Sequence, residues 1–257
     1  MNRFYLSLPI LGKSQRSSWL IQNSRSFAVN ELPWCSNSKQ KLPKNCTDVN
    51  PAIPFRPIER FGIIAAMSNN NIIGVKGAIP WNVPADRKEF VRVTKGKILI
   101  VGRKTFEEQR NFSHISHAAN CIVISKSLND ENVQSAVSQI NTEVKIVRSF
   151  PEALEAARHL VDKNAKSGND STDDIDCWIA GGQDIYHRSV LHPSAWTIHL
   201  TVFHLDVDIS SCMPSEIARF PPKYHWDNRF TEVSKIEDVT QDAIMFTRYI
   251  HKKATFR

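Results

Sequence analysis

The chain has 257 residues, of which 41% are hydrophobic and 23% charged, with 33 Lys and Arg against 26 Asp and Glu. This length suits one domain with appendages, or two small domains, and is enough to bury a substantial core. The longest apolar run away from glycine, at residues 63–67, is far shorter than the about 20 residues of a membrane-spanning helix, so no membrane association is expected.

Most of the net charge of +7 is concentrated near the N-terminus. Residues 1–57 hold eight basic residues and only two acidic ones, Glu31 and Asp48, which leaves 25 basic and 24 acidic residues in the rest of the chain. A nearly neutral body has little electric field with which to attract a polyphosphate. The charge pattern therefore argues against nucleic-acid binding.

Residues 1–27 have the composition of an organelle transit peptide. They contain four basic residues, six serines and no acidic residue. The segment from Arg25 to Ala28 also resembles a mitochondrial processing site, so mitochondrial import is predicted, with plastid import or a disordered cytoplasmic tail as alternatives. Residues 28–57 contain five prolines and are predicted to be a linker, which places the folded domain at residues 58–257.

From residue 58 onward, short apolar runs alternate with helical patterns. A loop is predicted at 69–77 and a polar surface insertion at 162–176. Strands are predicted at 61–67, 97–101, 121–124, 144–147, 177–180 and 196–203, helices at 85–95, 103–109, 151–161 and 182–186, and an antiparallel strand pair at 230–233 and 244–250. This alternation indicates an α/β domain with a mostly parallel sheet and an antiparallel edge.

The cysteine and histidine spacings do not fit a structural metal site or a disulfide scaffold. The five cysteines are widely spaced without a C-x-x-C pair. Of the nine histidines, His114 and His117 lie close in sequence, but no cysteine or carboxylate accompanies them at ligand spacing. A reduced protein without a metal is expected.

The nine glycines cannot form the G-x-G-x-x-G, G-x-x-x-x-G-K or G-x-S-x-G motifs. One glycine pair, Gly181-Gly182, lies between a predicted buried strand and a helix. Such a pair lets the backbone pass close to a ligand, and the helix start offers N–H groups to an anion, although many glycine pairs are simply turns.

Cations follow three of the predicted parallel strands. Arg103 and Lys104 follow the strand that ends near Val101, while Lys126 and Arg148 follow the next two. Because the carboxyl ends of parallel strands share one edge of a sheet, these four cations are expected to lie close together, where they could hold a phosphate monoester. The alternative is that each one points into solvent.

Asp86 ends the most distinctive stretch of the chain, residues 80–86. Asp86 and Phe90 are four residues apart, so they share a helix face, which is expected to look onto the first strand. Burial would raise the pKa of this carboxyl group and let it move protons or bind a protonated heterocycle. The alternative is an ordinary acidic residue in the first turn of a helix, favoured by the helix dipole.

Eight short blocks then follow one order along the chain: Ile64-Ala-Ala66, Ile73-Gly74, Ile79-Pro-Trp81, Pro84-Ala-Asp86, Gly102-Arg-Lys-Thr-Phe106, Ile122-Val-Ile-Ser125, Ala180-Gly-Gly182 with Tyr186, and Leu200-Thr201. In this order they resemble the dihydrofolate reductases, over about residues 60–252. The resemblance implies that family's mixed, mostly parallel eight-stranded sheet with flanking helices, and the NADPH-dependent reduction of 7,8-dihydrofolate to tetrahydrofolate by hydride transfer.

The resemblance also implies roles for individual residues. Asp86 matches the family's active-site acid, which binds the pterin and promotes its protonation, Thr201 matches the threonine that bonds this acid, and Trp81 matches the residue that fixes a water molecule. Residues matching the pterin pocket are Ile64, Ala65, Ala66, Arg87 and Phe90. Residues matching the NADPH site are Ala66, Ile73, Gly74, Ile79, Gly102, Arg103, Lys104, Thr105, Ser125, Lys126, Arg148, Ala180, Gly181, Gly182, Gln183, Asp184, Ile185 and Tyr186, and residues 69–79 match the mobile loop that closes over nicotinamide.

The chain departs from the family pattern at the site for the substrate's tail. The family's arginine for the folate glutamate carboxylate falls at Ala119, and a lost bidentate contact of this kind corresponds to about 100-fold in affinity. Arg87, Arg110, His114 or His117 are the candidate replacements. An acid-bearing turn of the family is also altered at residues 210–214.

Three hypotheses therefore stay open. The first is a dihydrofolate reductase, the second is a reductase of the same fold acting on another pterin-like or flavin-precursor ring, and the third is a non-catalytic relative that binds NADPH or a regulatory partner. A monomer is expected, and an association with a separate thymidylate synthase is left open.

Overall fold

The computed structural model describes residues 58–108, 112–165, 175–240 and 244–254. The predicted targeting segment and linker lie outside these residues, as does Arg110. In the described part of the chain, no helix combines the length and the apolarity that crossing a membrane requires.

Eight strands form one mixed sheet in the order β5-β4-β3-β6-β1-β7-β10-β9, and two short strands pair separately as β2-β8. The strands are β1 Phe61–Ser68, β2 Ile72–Val75, β3 Ile98–Gly102, β4 Asn120–Ile124, β5 Glu143–Val147, β6 Cys177–Ile179, β7 Ala195–Phe203, β8 Ile217–Arg219, β9 Phe230–Val239 and β10 Met245–Lys253. The helices are α1 Pro84–Thr94, α2 Arg103–Glu107, α3 Asp130–Ala136, α4 Phe150–Ala165 and α5 Gln183–Val190.

The predicted fold class is confirmed. Strands β1, β3, β4, β5, β6 and β7 pair in parallel, while β7, β10 and β9 pair in antiparallel fashion. The central strands are buried on both faces, which explains their uninterrupted apolar runs in the sequence.

Helices cover both faces of the sheet, so that two cores form. Ile63, Ala65 and Leu200 belong to the core beneath α4 and α5. Ile64 and Trp178 belong to the core on the opposite face, against which Phe90 of α1 packs. Because alternate residues of a strand face opposite sides, neighbouring residues of β1 serve different layers.

Several element boundaries differ from the sequence-based prediction. Helix α4 continues to Ala165, so residues 162–165 are helical and do not belong to the predicted insertion, most of which lies outside the described residues. The strands β2 and β8 and the helix α3 were not predicted. Strand β2 interrupts the predicted loop at 69–77, and four residues with one glycine carry too little pattern to indicate a strand.

Candidate active site

Three residues form a row across neighbouring strands of the sheet. Ala66 of β1 pairs with Thr201 of β7, and Thr201 pairs with Arg248 of β10. Directly paired residues point to the same face of a sheet. This face carries α1, which begins at Pro84 after the extended residue Val83, so the first turn of α1 can lie above the row.

Asp86, in this first turn, meets the row at Thr201. The Thr201 hydroxyl is buried and donates a hydrogen bond to the Asp86 carboxylate. Burial nevertheless raises the pKa of Asp86 above its usual 3.8, because desolvation outweighs the opposing effects of Thr201 and Arg248. A carboxyl group with a raised pKa and one fixed hydrogen-bond donor is suited to binding and protonating a heterocycle.

Two further charged residues of α1 flank Asp86. Glu89 raises its pKa and the exposed Arg87 lowers it. Glu89 accepts two hydrogen bonds from Arg92, at 2.6 and 2.7 Å, and these hold the pKa of Glu89 below its usual value. Arg92 thus largely compensates the charge of Glu89, whereas the groups that favour the charged form of Asp86 lie mainly on the sheet, at Thr201 and Arg248.

Trp81 lies between α1 and the sheet. Its ring centroid is 5.0 Å from that of Phe203, and both rings belong to a small apolar cluster with Val83 and Phe246. Ala66 and Ala85 pack against the same cluster. The structure therefore brings Trp81, Asp86 and Thr201 together, as the sequence predicts.

The side chains predicted for the pterin pocket divide between the two faces. Ile64 and Phe90 share one core, on the face that carries Asp86. Ala65 belongs to the core of the other face, so its side chain cannot line this pocket. The alternation of a strand explains this correction, because the block of residues 64–66 names three consecutive residues.

His117 closes the far side of this pocket. Its ring packs edge-on against Phe90 with centroids 5.3 Å apart, and its Nε2 lies 2.7 Å from the Thr94 hydroxyl. Burial lowers the pKa of His117, so it is neutral near pH 7 and carries no charge for a carboxylate there.

The glycine turn after β6 approaches the turn after β3. The Gly102 amide donates to the Gly181 carbonyl at 2.8 Å, and the peptide bond between Gly181 and Gly182 is cis. A Cβ atom at Gly181 or Gly182 would lie 3.3 Å from the Thr105 hydroxyl. Gly181 also has a φ of +114°, which side chains rarely permit. This close approach leaves backbone exposed to a ligand at the carboxyl edge of the sheet.

The cations at this edge follow adjacent strands, as predicted, but they are not equally available. Arg148 donates to the carbonyl oxygens of Ser125 and Leu128 at 2.9 and 2.8 Å, so its guanidinium holds the loop after β4. Arg103 forms an ion pair with Glu107 at 2.7 Å. Lys104 and Lys126 are exposed. Of the four predicted cations, Arg148 is therefore the least available to bind a ligand.

The segment at 69–79 is attached to the site through β8. Strand β2 pairs with β8, and the Arg219 amide donates to the Gln183 side chain of α5 at 2.7 Å. The Ile79 amide donates to Glu108, whose pKa is raised because burial outweighs this bond. The predicted cofactor residues Ile73, Gly74 and Ile79 thus lie on a segment held by two contacts.

Tyr186, in the first turn of α5, connects this helix to β1. Its hydroxyl donates to the Ile64 carbonyl at 2.8 Å, and burial raises the pKa of the phenol far above its usual value. Ile185 and Tyr186 are buried, whereas Asp184 is exposed. In the predicted segment from Gly181 to Tyr186, Asp184 is thus the most exposed residue, while Gly182 and Gln183 are half-buried and Gly181 is buried.

No cation replaces the family's arginine at Ala119 itself. Ala119 is exposed, at the start of β4, where its amide donates to the Lys97 carbonyl at 3.0 Å. On the solvent side of α1, a cavity of about 370 Å³ is lined by Pro84, Arg87, Lys88 and Val91. Arg87, which donates to the Asn82 side chain, is the nearer of these cations to Asp86 in sequence and affects its pKa.

Three residues of the site were missed by the sequence analysis, namely Glu108, Arg219 and Arg248. Each acts through a contact between segments that are distant in the chain, and no motif marks it. The alternating pattern of β10 could have placed Arg248 on one face of a strand, but not beside Asp86.

Comparisons with known proteins agree with this geometry. The family model described as "Dihydrofolate reductase" matches residues 60–251, about three quarters of the chain. The chain is 32% identical over 126 residues to a dihydrofolate reductase of Buchnera aphidicola subsp. Baizongia pistaciae, covering 49% of this chain and 61% of that protein. It is 51% identical over 45 residues to dihydrofolate reductase type 3 of Salmonella typhimurium, covering 18% and 28% of the two chains.

A longer match is with a bifunctional protein. The chain is 24% identical over 223 residues to bifunctional dihydrofolate reductase-thymidylate synthase 1 of Arabidopsis thaliana, covering 80% of this chain and 37% of that protein. In all three matches the chain spans less than two thirds of the relative's length.

Proposed function

Because the chain belongs to the dihydrofolate reductase family, we propose that it reduces 7,8-dihydrofolate to 5,6,7,8-tetrahydrofolate with NADPH as the reductant. The observation that carries this proposal is the buried carboxyl group of Asp86, bonded by Thr201 on the sheet face where Ile64, Phe90 and Trp81 form an apolar wall. An apolar wall and one carboxylate suit a flat heterocycle with N–H donors on one edge.

The site supports a division of roles among its residues. The Asp86 carboxylate accepts hydrogen bonds from the N–H edge of the pterin, and Thr201 fixes the orientation of the carboxylate. Because its pKa is raised, Asp86 exchanges protons closer to neutral pH than an ordinary aspartate does, which favours protonation of the imine nitrogen that becomes N5–H. Trp81, in the role that the resemblance implies, holds the water that delivers this proton.

The residues at the carboxyl edge fit a dinucleotide phosphate. The close approach of Gly102, Gly181 and Gly182 leaves little room for Cβ atoms, and the half-buried Gly182 can present its backbone N–H group to a pyrophosphate. Lys104 and Lys126 with Arg103 supply positive charge for the additional phosphate that distinguishes NADPH from NADH. When bound there, NADPH supplies a hydride, that is, two electrons and one proton, to the substrate ring.

An assay of the full chain tests the proposal. NADPH absorbance at 340 nm is expected to fall only when dihydrofolate is added, and Asp86→Asn is expected to lose most of this rate at pH 7. NADPH binding without turnover of dihydrofolate would contradict the proposal.

A second candidate function follows from Ala119. Without a cation at this position, the site could serve a pterin-like or flavin-precursor ring that has no glutamate tail. A dihydropterin without the tail separates the two, because a dihydrofolate reductase is expected to show a lower KM for dihydrofolate. Equal or better turnover of the tail-less ring would favour the second function.

The composition of residues 1–27 supports import into mitochondria, and the Arabidopsis relative's name supports a functional link with thymidylate synthase. Both are proposals about the cellular setting. Fusing residues 1–57 to a fluorescent protein tests the first, and co-purification of the full chain, expected to be a monomer, with a thymidylate synthase tests the second. Diffuse cytoplasmic fluorescence, or no co-purification, would contradict the respective proposal.

A further inference from the structure

Arg248 makes contacts that are unusual for an arginine on an antiparallel strand. Its Nη2 donates to the carbonyl oxygen of Ala85 in the first turn of α1, at 3.4 Å. Its guanidinium also lies over the Phe246 ring, 4.7 Å from the centroid. The half-buried side chain therefore reaches from the sheet to the helix that carries Asp86.

This arginine is only partly compensated. Its Nε is buried and has no hydrogen-bond partner among the described residues, and no carboxylate of those residues forms an ion pair with it. Keeping a half-buried guanidinium with a buried, unpartnered Nε costs free energy unless a negative charge is close by. The nearby negative charges are Asp86 and Glu89, both of which respond to Arg248.

The other groups that face Asp86 do not replace this charge. Glu89 on α1 is negative, Tyr186 on α5 is a neutral phenol, and Thr201 on β7 supplies a hydroxyl. Arg87 on α1 is positive but exposed, and its influence on Asp86 is the smallest among these charges. His199, which faces Glu89, is neutral near pH 7 because burial lowers its pKa to about 4.

We propose that Arg248 is a positioning residue for Asp86, which ties the first turn of α1 to the sheet through the Ala85 carbonyl and keeps its positive charge beside the Asp86 carboxylate. Its position follows from the register, because Arg248 lies directly opposite Thr201. Thr201 and Arg248 thus act on Asp86 from neighbouring strands. Thr201 provides a hydrogen bond and Arg248 a positive charge.

The consequence for substrate rests on the proposed function. A protonated or N–H-rich pterin edge binds an ionised carboxylate more strongly than a neutral one. By favouring the ionised form, Arg248 widens the pH range over which Asp86 can hold this edge. Loss of the charge is expected to weaken substrate capture most strongly on the acid side of neutrality.

The experiment measures the Asp86 carboxyl group directly. The full chain is labelled with ¹³C at aspartate carboxyl groups, and the resonance missing from Asp86→Asn is followed during a pH titration. Arg248→Gln removes the charge while keeping a donor for the Ala85 carbonyl, and Arg248→Lys keeps the charge. Arg229→Gln is the matched control, because Arg229, like Arg248, donates to the backbone, in its case to the carbonyls of Val190 and His192, but is not among the groups that affect the pKa of Asp86.

The expected result is an upward shift of the Asp86 titration in Arg248→Gln, with Arg248→Lys and Arg229→Gln close to the unchanged protein. In parallel, kcat/KM for dihydrofolate at pH 7 is expected to fall about tenfold in Arg248→Gln, as for the loss of one charge-assisted contact. An unmoved titration in Arg248→Gln, or a shift of equal size in Arg229→Gln, overturns the proposal. Absence of reductase activity in the unchanged protein would contradict the proposed function and leave the titration decisive for Arg248.

Discussion

Thr201 and Arg248 stand opposite each other in the register of β7 and β10, and both act on one carboxyl group, that of Asp86. The hydroxyl and the guanidinium each lower the pKa of Asp86, while burial raises it and prevails. The pKa of Asp86 is therefore set by a balance between the sheet residues, which favour the charged form, and the apolar surroundings, which favour the neutral form.

Replacing Thr201 by valine is expected to change this balance. The buried carboxylate would lose its hydroxyl donor, so its pKa would rise further and the acid limb of the kcat/KM profile would move to higher pH. A lost buried hydrogen bond of about 1–3 kcal/mol corresponds to a decrease of about 10- to 100-fold in kcat/KM at pH 7. Thr201→Ser, which keeps the hydroxyl, is the control. A profile in Thr201→Val that matches the unchanged protein would refute the assigned bond.

Asp86→Asn is expected to make the protein more stable at neutral pH while reducing its activity. The folded-state pKa of Asp86 lies above its unfolded value, so stability is lost as the pH rises from about 3.8 through the folded-state pKa. Above this pKa the charged side chain destabilises the fold by a constant amount, which the neutral amide removes. Thermal unfolding at several pH values should show a gain at pH 7 that shrinks towards pH 4.

Asp208→Asn is the matched control for the sign of this change in stability. Asp208 is exposed, and the Ser210 amide holds its pKa below the usual value. Its carboxylate therefore stabilises the fold at neutral pH, and the substitution should lower stability slightly there. Changes of the same sign in both variants would contradict this account of Asp86.

Gly181→Ala tests the glycine turn. The new Cβ would lie 3.3 Å from the Thr105 hydroxyl, and the φ of +114° is strained for alanine. A loss of about 1–3 kcal/mol in stability is expected, together with a higher Kd for NADPH in a fluorescence titration. Gly96→Ala, where a Cβ meets nothing within 4 Å although φ is +71°, should cost stability without changing NADPH binding. Equal Kd values for both variants would remove the cofactor role of this turn.

The cations after β3 and β4 are expected to select NADPH over NADH. The double variant Arg103→Gln/Lys126→Gln should raise the KM for NADPH about tenfold, as for a loss of about 1.4 kcal/mol, with little change for NADH. Lys163→Gln, near the exposed end of α4, is a control for the loss of one surface charge away from this edge of the sheet. If both KM values rose together, the cations would support dinucleotide binding in general and not the extra phosphate.

Arg87 is expected to contribute modestly to holding the substrate's tail. As an exposed cation it is worth about 0.2–1 kcal/mol, so Arg87→Leu should raise the KM for dihydrofolate by at most about fivefold with kcat unchanged. Ala119→Arg should lower this KM by a larger factor, because a bidentate contact to a carboxylate is stronger. A KM that is unaffected by either change would mean that the tail contacts another part of the protein.

The sequence predicts the parts of this structure that depend on local pattern. The apolar runs of β1 and β3 indicate buried strands, and the glycine pair after β6 indicates a close backbone approach, as observed. The position of Asp86 on an amphipathic helix indicates a carboxyl group against an apolar wall. Each of these features requires information from only a few neighbouring residues.

Features that depend on contacts between distant segments could not be predicted. Arg248 lies 162 positions after Asp86, and only the pairing of β7 with β10 brings it to the same face. The engagement of Arg148 by the Ser125 and Leu128 carbonyls is likewise a tertiary contact. The orientation of Ala65 is a different case, because local strand alternation predicts it, whereas the motif of three consecutive residues obscures it.

The pairing of β2 with β8 has a consequence for how the two halves of the chain evolve together. Residues 72–75 can change conformation only if their pairing with residues 217–219 rearranges or breaks. Because the Arg219 amide donates to the Gln183 side chain, such a change also affects the start of α5. If residues 69–79 open and close over the cofactor, as the family resemblance implies, a substitution at residues 217–219 is expected to change the rate of that motion. Sequence changes at residues 217–219 are thus expected to adjust the turnover rate, and hydrogen exchange at the amides of β2 would measure the change in mobility.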